Sequence, residues 1–349
     1  MKKSICWIIL AVMLLTLAGC GGNEPAKEEN AQAAVTATPT VETTAEPTAE
    51  PTLAPTAEPL TSSDEQYDYV LLEDGTAEIT AFRNHGVITA DGKRVFGYTL
   101  VIPPAIDGYT VSAIGDRAFI REGALTGVTI PDGVKTIGEC AFFCCKIYKV
   151  TIPNSVTSIG NGAFASCHCL KSVTIPDGVT KIGDCAFYDC NRMTSVTIQE
   201  SVTEMGVNPF EACGRLAEII VSSEHPYLAV VDGVLFSKPD KRLILYPYRL
   251  EQETYEIPQG IRLIGYTAFS DCLKLTSVII PDSVTTIDDN AFLRCYNLTN
   301  VIIPNSVTEI GVHAFSSCDN LTLTVTQGSY AEQYCKENNL KYQYADAQD

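Results

Sequence analysis

The chain has 349 residues, with 24 Lys plus Arg against 42 Asp plus Glu and a formal net charge of −18. That acidic surplus is repelled by nucleic-acid phosphates and anionic lipid headgroups, which argues against nucleic acid as a partner. Length alone suggests two or three domains, but such a count fails for a chain built of repeats, which must be sought first.

The first 19 residues read as an address. Lys2 and Lys3 precede an apolar run from Ile5 to Ala18, followed by "LAGC" at Leu17–Cys20. A charged start, about 14 apolar residues and small residues at the end fit a secretory signal peptide better than a spanning helix. "LAGC" resembles the bacterial lipobox, which implies cleavage before Cys20 and a diacylglycerol on its sulfur. Two or more acyl chains anchor stably where one does not. The alternative is an ordinary signal peptide with an incidental cysteine. Residues 20–66 then form a stalk of Pro, Thr, Ala and Glu, such as "TAEPTAEPTLAPTAEP" (Thr44–Pro59). It has too little to bury to offset its ordering entropy, and at about 3.1 Å per residue it reaches at most about 140 Å. The expected location is extracytoplasmic, lipid-anchored to a bacterial membrane and exposed at the cell surface.

Residues 67–97 carry hairpin signals at Asp74-Gly75 and Asp91-Gly92 and are expected to form an N-terminal β cap. Repeats occupy residues 98–325. Their phenylalanines, from Phe119 to Phe315, are spaced 23, 22, 23, 23, 59, 23 and 23 residues apart. One unit is "KSVTIPDGVTKIGDCAFYDCNRM" (Lys171–Met193). Val173 and Ile175 alternate with polar residues as in a strand with one buried face. Pro176-Asp177-Gly178 makes a turn, Val179 and Ile182 point back inward, and Ala186 with Phe187 fill the core. A single unit closes no core, so stacking is obligatory.

The pattern "VTIPxxVTxIGxxAFxxCxxL" resembles the BspA-type leucine-rich repeat of bacterial surface proteins. That resemblance implies a right-handed β-solenoid with a curved strand face, and a role as a surface adhesin or a binder of host matrix proteins. Two departures stand out: the first unit is longer ("VIPPAIDGYTVSAIG"), and residues 217–252 interrupt the array. The expected fold is therefore mainly β: a solenoid of 22–23-residue repeats, an N-terminal β cap, an inserted hairpin, and a C-terminal helix–strand cap over 326–349. Ser329 and Glu332 form a capping box for that helix.

Cys145, Cys167, Cys190, Cys213, Cys272, Cys295 and Cys318 each follow a repeat phenylalanine by three residues. A cysteine recurring in register is expected to be a structural ladder, packed as a small hydrophobe and donating weakly to backbone carbonyls. Disulfide frameworks belong to small domains short of core. "FFCCK" and "SCHCL" gather Cys144, Cys145, Cys167, His168 and Cys169, but without zinc spacing, so no metal or other cofactor is expected. His85, His168, His225 and His313 sit in no catalytic motif, and acids such as Asp132, Asp177 and Asp282 occupy turns, so an enzyme is not expected.

Binding remains. The outward strand positions are Thr129, Thr151, Thr174 and Thr197, then Ile220, Glu256, Ile279 and Ile302. Nine strands about 4.8 Å apart give a face of roughly 600 Å², near one side of a standard protein interface. A threonine row is what any solvated sheet shows, whereas isoleucines there suggest a patch with a purpose. The insertion reads as a projecting hairpin carrying Tyr227, Tyr246 and Tyr248 as candidate anchors. Candidate ligand-binding residues are therefore Thr197, Ile220, Glu256, Ile279, Ile302, Tyr227, Tyr246 and Tyr248. The expected partner is an extracellular protein or glycan, with the membrane reached through the lipid anchor only. The alternative is a passive scaffold or spacer without a specific ligand.

Overall fold

The computed structural model describes residues 60–83 and 97–345. The leader, Cys20, the stalk as far as Pro59, the Asp91-Gly92 turn and His85 lie outside the described residues.

Each repeat lays down two short strands, and equivalent strands of successive repeats pair in parallel. The first strands form sheets of three, three and five. These run Tyr98–Val101, Leu125–Thr129 and Lys149–Thr151; then Ser172–Ile175, Ser195–Ile198 and Glu218–Val221; then Thr254–Glu256 through Tyr342–Tyr344. The second strands, such as Thr136–Ile137 and Lys181–Ile182, build a nine-stranded and a six-stranded sheet. The alternation read from the sequence is realised. Val173 and Ile175 are buried while Ser172 and Thr174 are exposed, because a strand places successive side chains on opposite faces.

The third side of each coil carries the phenylalanine. Phe119, Phe142, Phe164, Phe187 and Phe210 stack with centroids 5.0 to 5.5 Å apart, the rise of one coil per parallel strand. Phe269, Phe292 and Phe315 continue the pattern beyond the insertion at 4.8 and 5.1 Å. Phe82 of the N-terminal cap closes one end against Phe119, and Tyr334 of the C-terminal helix meets Phe315 edge-on at the other. Glycine follows the second strand where coils approach most closely. A Cβ on Gly183 would lie 2.6 Å from the backbone nitrogen of Asn161, so a side chain there requires the neighbouring coil to shift; one later coil carries Asp288 at the equivalent position.

Three differences from the sequence reading follow. The N-terminal cap starts earlier than residue 67, because Leu60–Thr61 pairs antiparallel with Tyr67–Leu71; Ser62 is buried and its Oγ accepts from the Tyr67 N–H. The longer first unit is a hairpin turning at Asp107-Gly108, both in left-handed conformation.

The insertion does not project. Leu228–Val231, Val234–Ser237 and Arg242–Leu245 form an antiparallel meander whose last strand pairs in parallel with Leu263–Ile264. The middle strand is buried throughout. The meander therefore joins the second-strand sheet and separates two hydrophobic clusters, one reaching from Tyr67 to Tyr248 and one from Val234 to Cys335.

At the C-terminus the helix Tyr330–Glu337 begins at Ser329, whose Oγ accepts from the Glu332 N–H at 3.2 Å. The Glu332 carboxylate reaches the Gly328 N–H at 2.6 Å, one residue before the usual partner of a capping box. Tyr342–Tyr344 then adds in parallel to Thr322–Val325.

Candidate recognition face

The cysteine column lies inside the coil. Sγ of Cys145, Cys167, Cys190 and Cys213 lies 3.1 to 3.3 Å from the carbonyl oxygen of the preceding repeat's phenylalanine. Cys295 and Cys318 do the same at 2.9 and 3.0 Å, while Cys272 reaches Tyr246 O at 3.8 Å. Burial pushes the Cys167 thiol up to about 12, which leaves a weak donor rather than a thiolate nucleophile. None of the twelve cysteines among the described residues is joined in a disulfide. Cys144 is exposed and Cys169 half-exposed, and His168 Nδ1 lies 3.0 Å from the Asp189 carbonyl. Among the described residues no three His, Cys, Asp or Glu side chains are grouped to share a metal.

His225, unremarkable in the sequence, organises the entry to the meander. Its Nδ1 accepts from the N–H groups of Tyr227 and Leu228, both at 3.1 Å, so Nε2 carries the proton and donates to Gln199 O. Burial lowers its pKa below the usual histidine value. Lys238 Nζ donates to the His225 carbonyl at 2.5 Å.

The outward strand positions are those read from the alternation. Thr197 pairs in register with Ile220, and Glu256, Ile279 and Ile302 form one row. Glu256 is exposed and Thr197 half-buried. The isoleucines keep a large fraction of their surface in water: 44% for Ile220, 40% for Ile279 and 43% for Ile302. Ile279 and Ile302 are direct cross-strand neighbours, which makes an apolar patch rather than scattered residues.

Of the three hairpin tyrosines, only Tyr227 is exposed. Tyr246 is 1% and Tyr248 8% exposed, so neither presents a ring to a ligand. Tyr246 stands in the aromatic stack at 5.3 Å from Phe269. It lies 23 residues before that phenylalanine, a spacing that identifies it as the ladder aromatic of a degenerate repeat. Tyr248 ends the first ladder. The N–H two residues after each phenylalanine normally donates to the next coil, as Asp189 does to Glu211 O at 2.9 Å. At Ala212 the insertion displaces that coil, and the Tyr248 hydroxyl accepts instead at 2.7 Å.

The face also carries a concavity of about 640 Å³ at its N-terminal end, over Tyr98–Val101, Leu125–Thr129 and Lys149–Thr151. Gly127 lies in its floor, buried and in register between Thr99 and Lys149, with the Thr99 side chain against it.

The family model for the BspA type Leucine rich repeat region matches six copies in this chain, over residues 111–229 and 247–341. A leucine-rich-repeat protein from Eubacterium ventriosum is 24% identical, covering 78% of this chain and 73% of its own, with a TM-score of 0.58. The pneumococcal vaccine antigen PcpA is 21% identical, covering 77% and 81%, with a TM-score of 0.57. A leucine-rich cell surface protein from Faecalibacterium prausnitzii is 27% identical over 80% of this chain and 97% of its own, with a TM-score of 0.47. No curated protein sequence matches the chain.

Proposed function

Since the chain belongs to the BspA-type leucine-rich-repeat family of bacterial proteins, we propose that it is a non-enzymatic, lipid-anchored surface protein that binds an extracellular protein or glycan through its first-strand face. The observation that carries this reading is the Ile279–Ile302 cross-strand pair, left 40% and 43% exposed and flanked in register by Glu256 and Thr324. Wet strand faces favour threonine, which fills the equivalent positions Thr151 and Thr174; a cross-strand isoleucine pair suits a surface covered by a partner. Anchoring is proposed from the leader and Cys20, with the stalk holding the solenoid away from the bilayer. A surface location is proposed from the leader alone.

The test is a screen of the full-length chain on matrix-protein and glycan arrays, followed by the pair Ile279→Lys and Ile302→Lys. Each isoleucine has lost little over half its surface to folding, so about 1 kcal/mol of apolar burial remains for a partner. Two lysines buried unpaired add several kcal/mol against binding, which predicts at least a tenfold weaker complex. Stability should stay within about ±0.5 kcal/mol per site, as for other exposed positions. Unchanged binding of the array hit would refute this reading of the face.

A further inference from the structure

We infer that the concavity over Gly127 is a subsite for an anionic saccharide, with the Lys149 ammonium on its acidic group and the Tyr148 ring against its apolar face. The inference rests on the reading of the strand face as a recognition surface, but places a ligand of stated chemistry at its other end.

Thr99, Gly127 and Lys149 are register partners on three adjacent strands, and Gly127 is buried, with the Thr99 hydroxyl 3.0 Å from where a Cβ would stand. Gly97, with φ of +104°, lies on the rim against the Thr126 side chain, whose methyl is 2.9 Å from where a Cβ would stand. The space of about 640 Å³ lies within the roughly 300–1,000 Å³ usual for ligand clefts. Tyr148 is 47% exposed at its edge and stacks on no other ring among the described residues. Thr99, Thr129 and Thr151 supply hydroxyls to the same space.

The charge is local and opposite to that of the chain. From Cys140 to Pro176 the sequence holds Lys146, Lys149 and Lys171 and no aspartate or glutamate, although the whole chain has 42 acids. Lys149 is exposed and forms no ion pair among the described residues, whereas Lys181 and Lys274 are paired with Glu204 and Glu251. In the next repeat, Lys171 takes the position that Tyr148 holds here and is also exposed. An exposed, unpaired ammonium in this acid-free stretch attracts an anionic group at contact distance, against the long-range repulsion of the chain as a whole.

The chemistry favours a saccharide over an acidic peptide. The middle strand beneath the concavity, Leu125–Thr129, is paired on both sides, which confines strand addition to the sheet's edges and leaves the floor to side chains. What remains is hydroxyls, a ring with an apolar face and polar tip, and one ammonium. That set matches a polyhydroxylated ring bearing a sulfate or carboxylate.

The experiment titrates the full-length chain, in detergent micelles, with a chondroitin sulfate hexasaccharide by calorimetry. Neutral dextran oligosaccharides and polyglutamate of equal length are the comparison probes. The expected result is binding of the sulfated probe that weakens as salt is raised, and that falls at least tenfold in both Lys149→Glu and Tyr148→Ala. Ile279→Lys with Ile302→Lys should leave this affinity unchanged, which separates failure of this subsite from failure of the isoleucine patch. Circular dichroism and the thermal midpoint should match the wild type in every variant. Lys149→Gln provides a milder second variant, expected to lose less than Lys149→Glu. Absence of binding to the sulfated probe, equal binding of dextran or polyglutamate, or full affinity in both Lys149→Glu and Tyr148→Ala would each overturn the proposal.

Discussion

Replacing Tyr248 by Phe removes one oxygen and leaves the ring's packing intact. The oxygen accepts the Ala212 N–H at 2.7 Å, the last donor of the first coil stack. In the preceding coils the same donor finds a carbonyl, from Arg121 to Phe143 O, Cys144 to Ala165 O and Ser166 to Tyr188 O. The variant therefore strands one N–H where the insertion has displaced the next coil. An orphaned buried donor costs about 1–3 kcal/mol, and the partial burial of Ala212 places the loss in the lower half of that range. Because repeat arrays need not unfold in one step, a global midpoint is a blunt readout. Native-state hydrogen exchange at Ala212 is sharper: each 1.4 kcal/mol of local stability is a tenfold change in opening, so exchange there should accelerate between about fivefold and thirtyfold. Urea unfolding should report a matching loss, confined to the first cluster. A stability change under about 0.5 kcal/mol with unchanged exchange at Ala212 would refute the capping role. A loss of ligand binding without any loss of stability would instead restore Tyr248 as a surface anchor.

Acidification should loosen the meander through His225. Its folded pKa is depressed, so the unfolded chain takes up the proton first; the stabilisation is complete above about pH 6.5 and fades as pH falls below it. The protection factors of Tyr227 and Leu228, corrected for the intrinsic slowing of exchange in acid, should therefore fall between pH 7.5 and 5.5, and unaltered protection factors would refute this. Cys20→Ala should release the protein from membrane fractions without altering the solenoid's circular dichroism. Retention with membranes as a full-sized, lipid-free chain would refute the lipobox reading.

The repeat was legible because its constraints come from one direction. Every inward position of a coil touches the same positions of its neighbours, so Val173, Val196 and Phe187 are forced to recur and their period is visible in the letters alone. The outward assignment of Ile279 and Ile302 followed from the same alternation. What escaped was the join. Tyr246 occupies the aromatic ladder 23 residues before Phe269, but the "CAF" around Phe187 is replaced by "LILYPY". Its strand arrives from an antiparallel meander rather than from a proline turn. A tyrosine in an irregular stretch reads as exposed until the sheet partner of Arg242–Leu245 is known. His225 escaped for a similar reason: its two donors follow it directly, but its acceptor, Gln199 O, lies 26 residues back.

The concavity was illegible for a different reason, and that reason bears on how such a solenoid acquires specificity. Ladder physics fixes the inner residues and leaves the outer row nearly free, since exposed substitutions cost little stability. A binding site on this scaffold can therefore be made from departures within a row. Gly127 stands where other coils carry Lys149, Ser172 or Ser195, Tyr148 where they carry Thr126 or Thr194, and Ile279 where they carry Thr151 or Thr174. None of these changes disturbs the period, so none registers as a motif. Each becomes meaningful only when strand register sets it beside its neighbours, as Gly127 is set between Thr99 and Lys149. Function on this fold is written in the differences between repeats, and register is needed to read it.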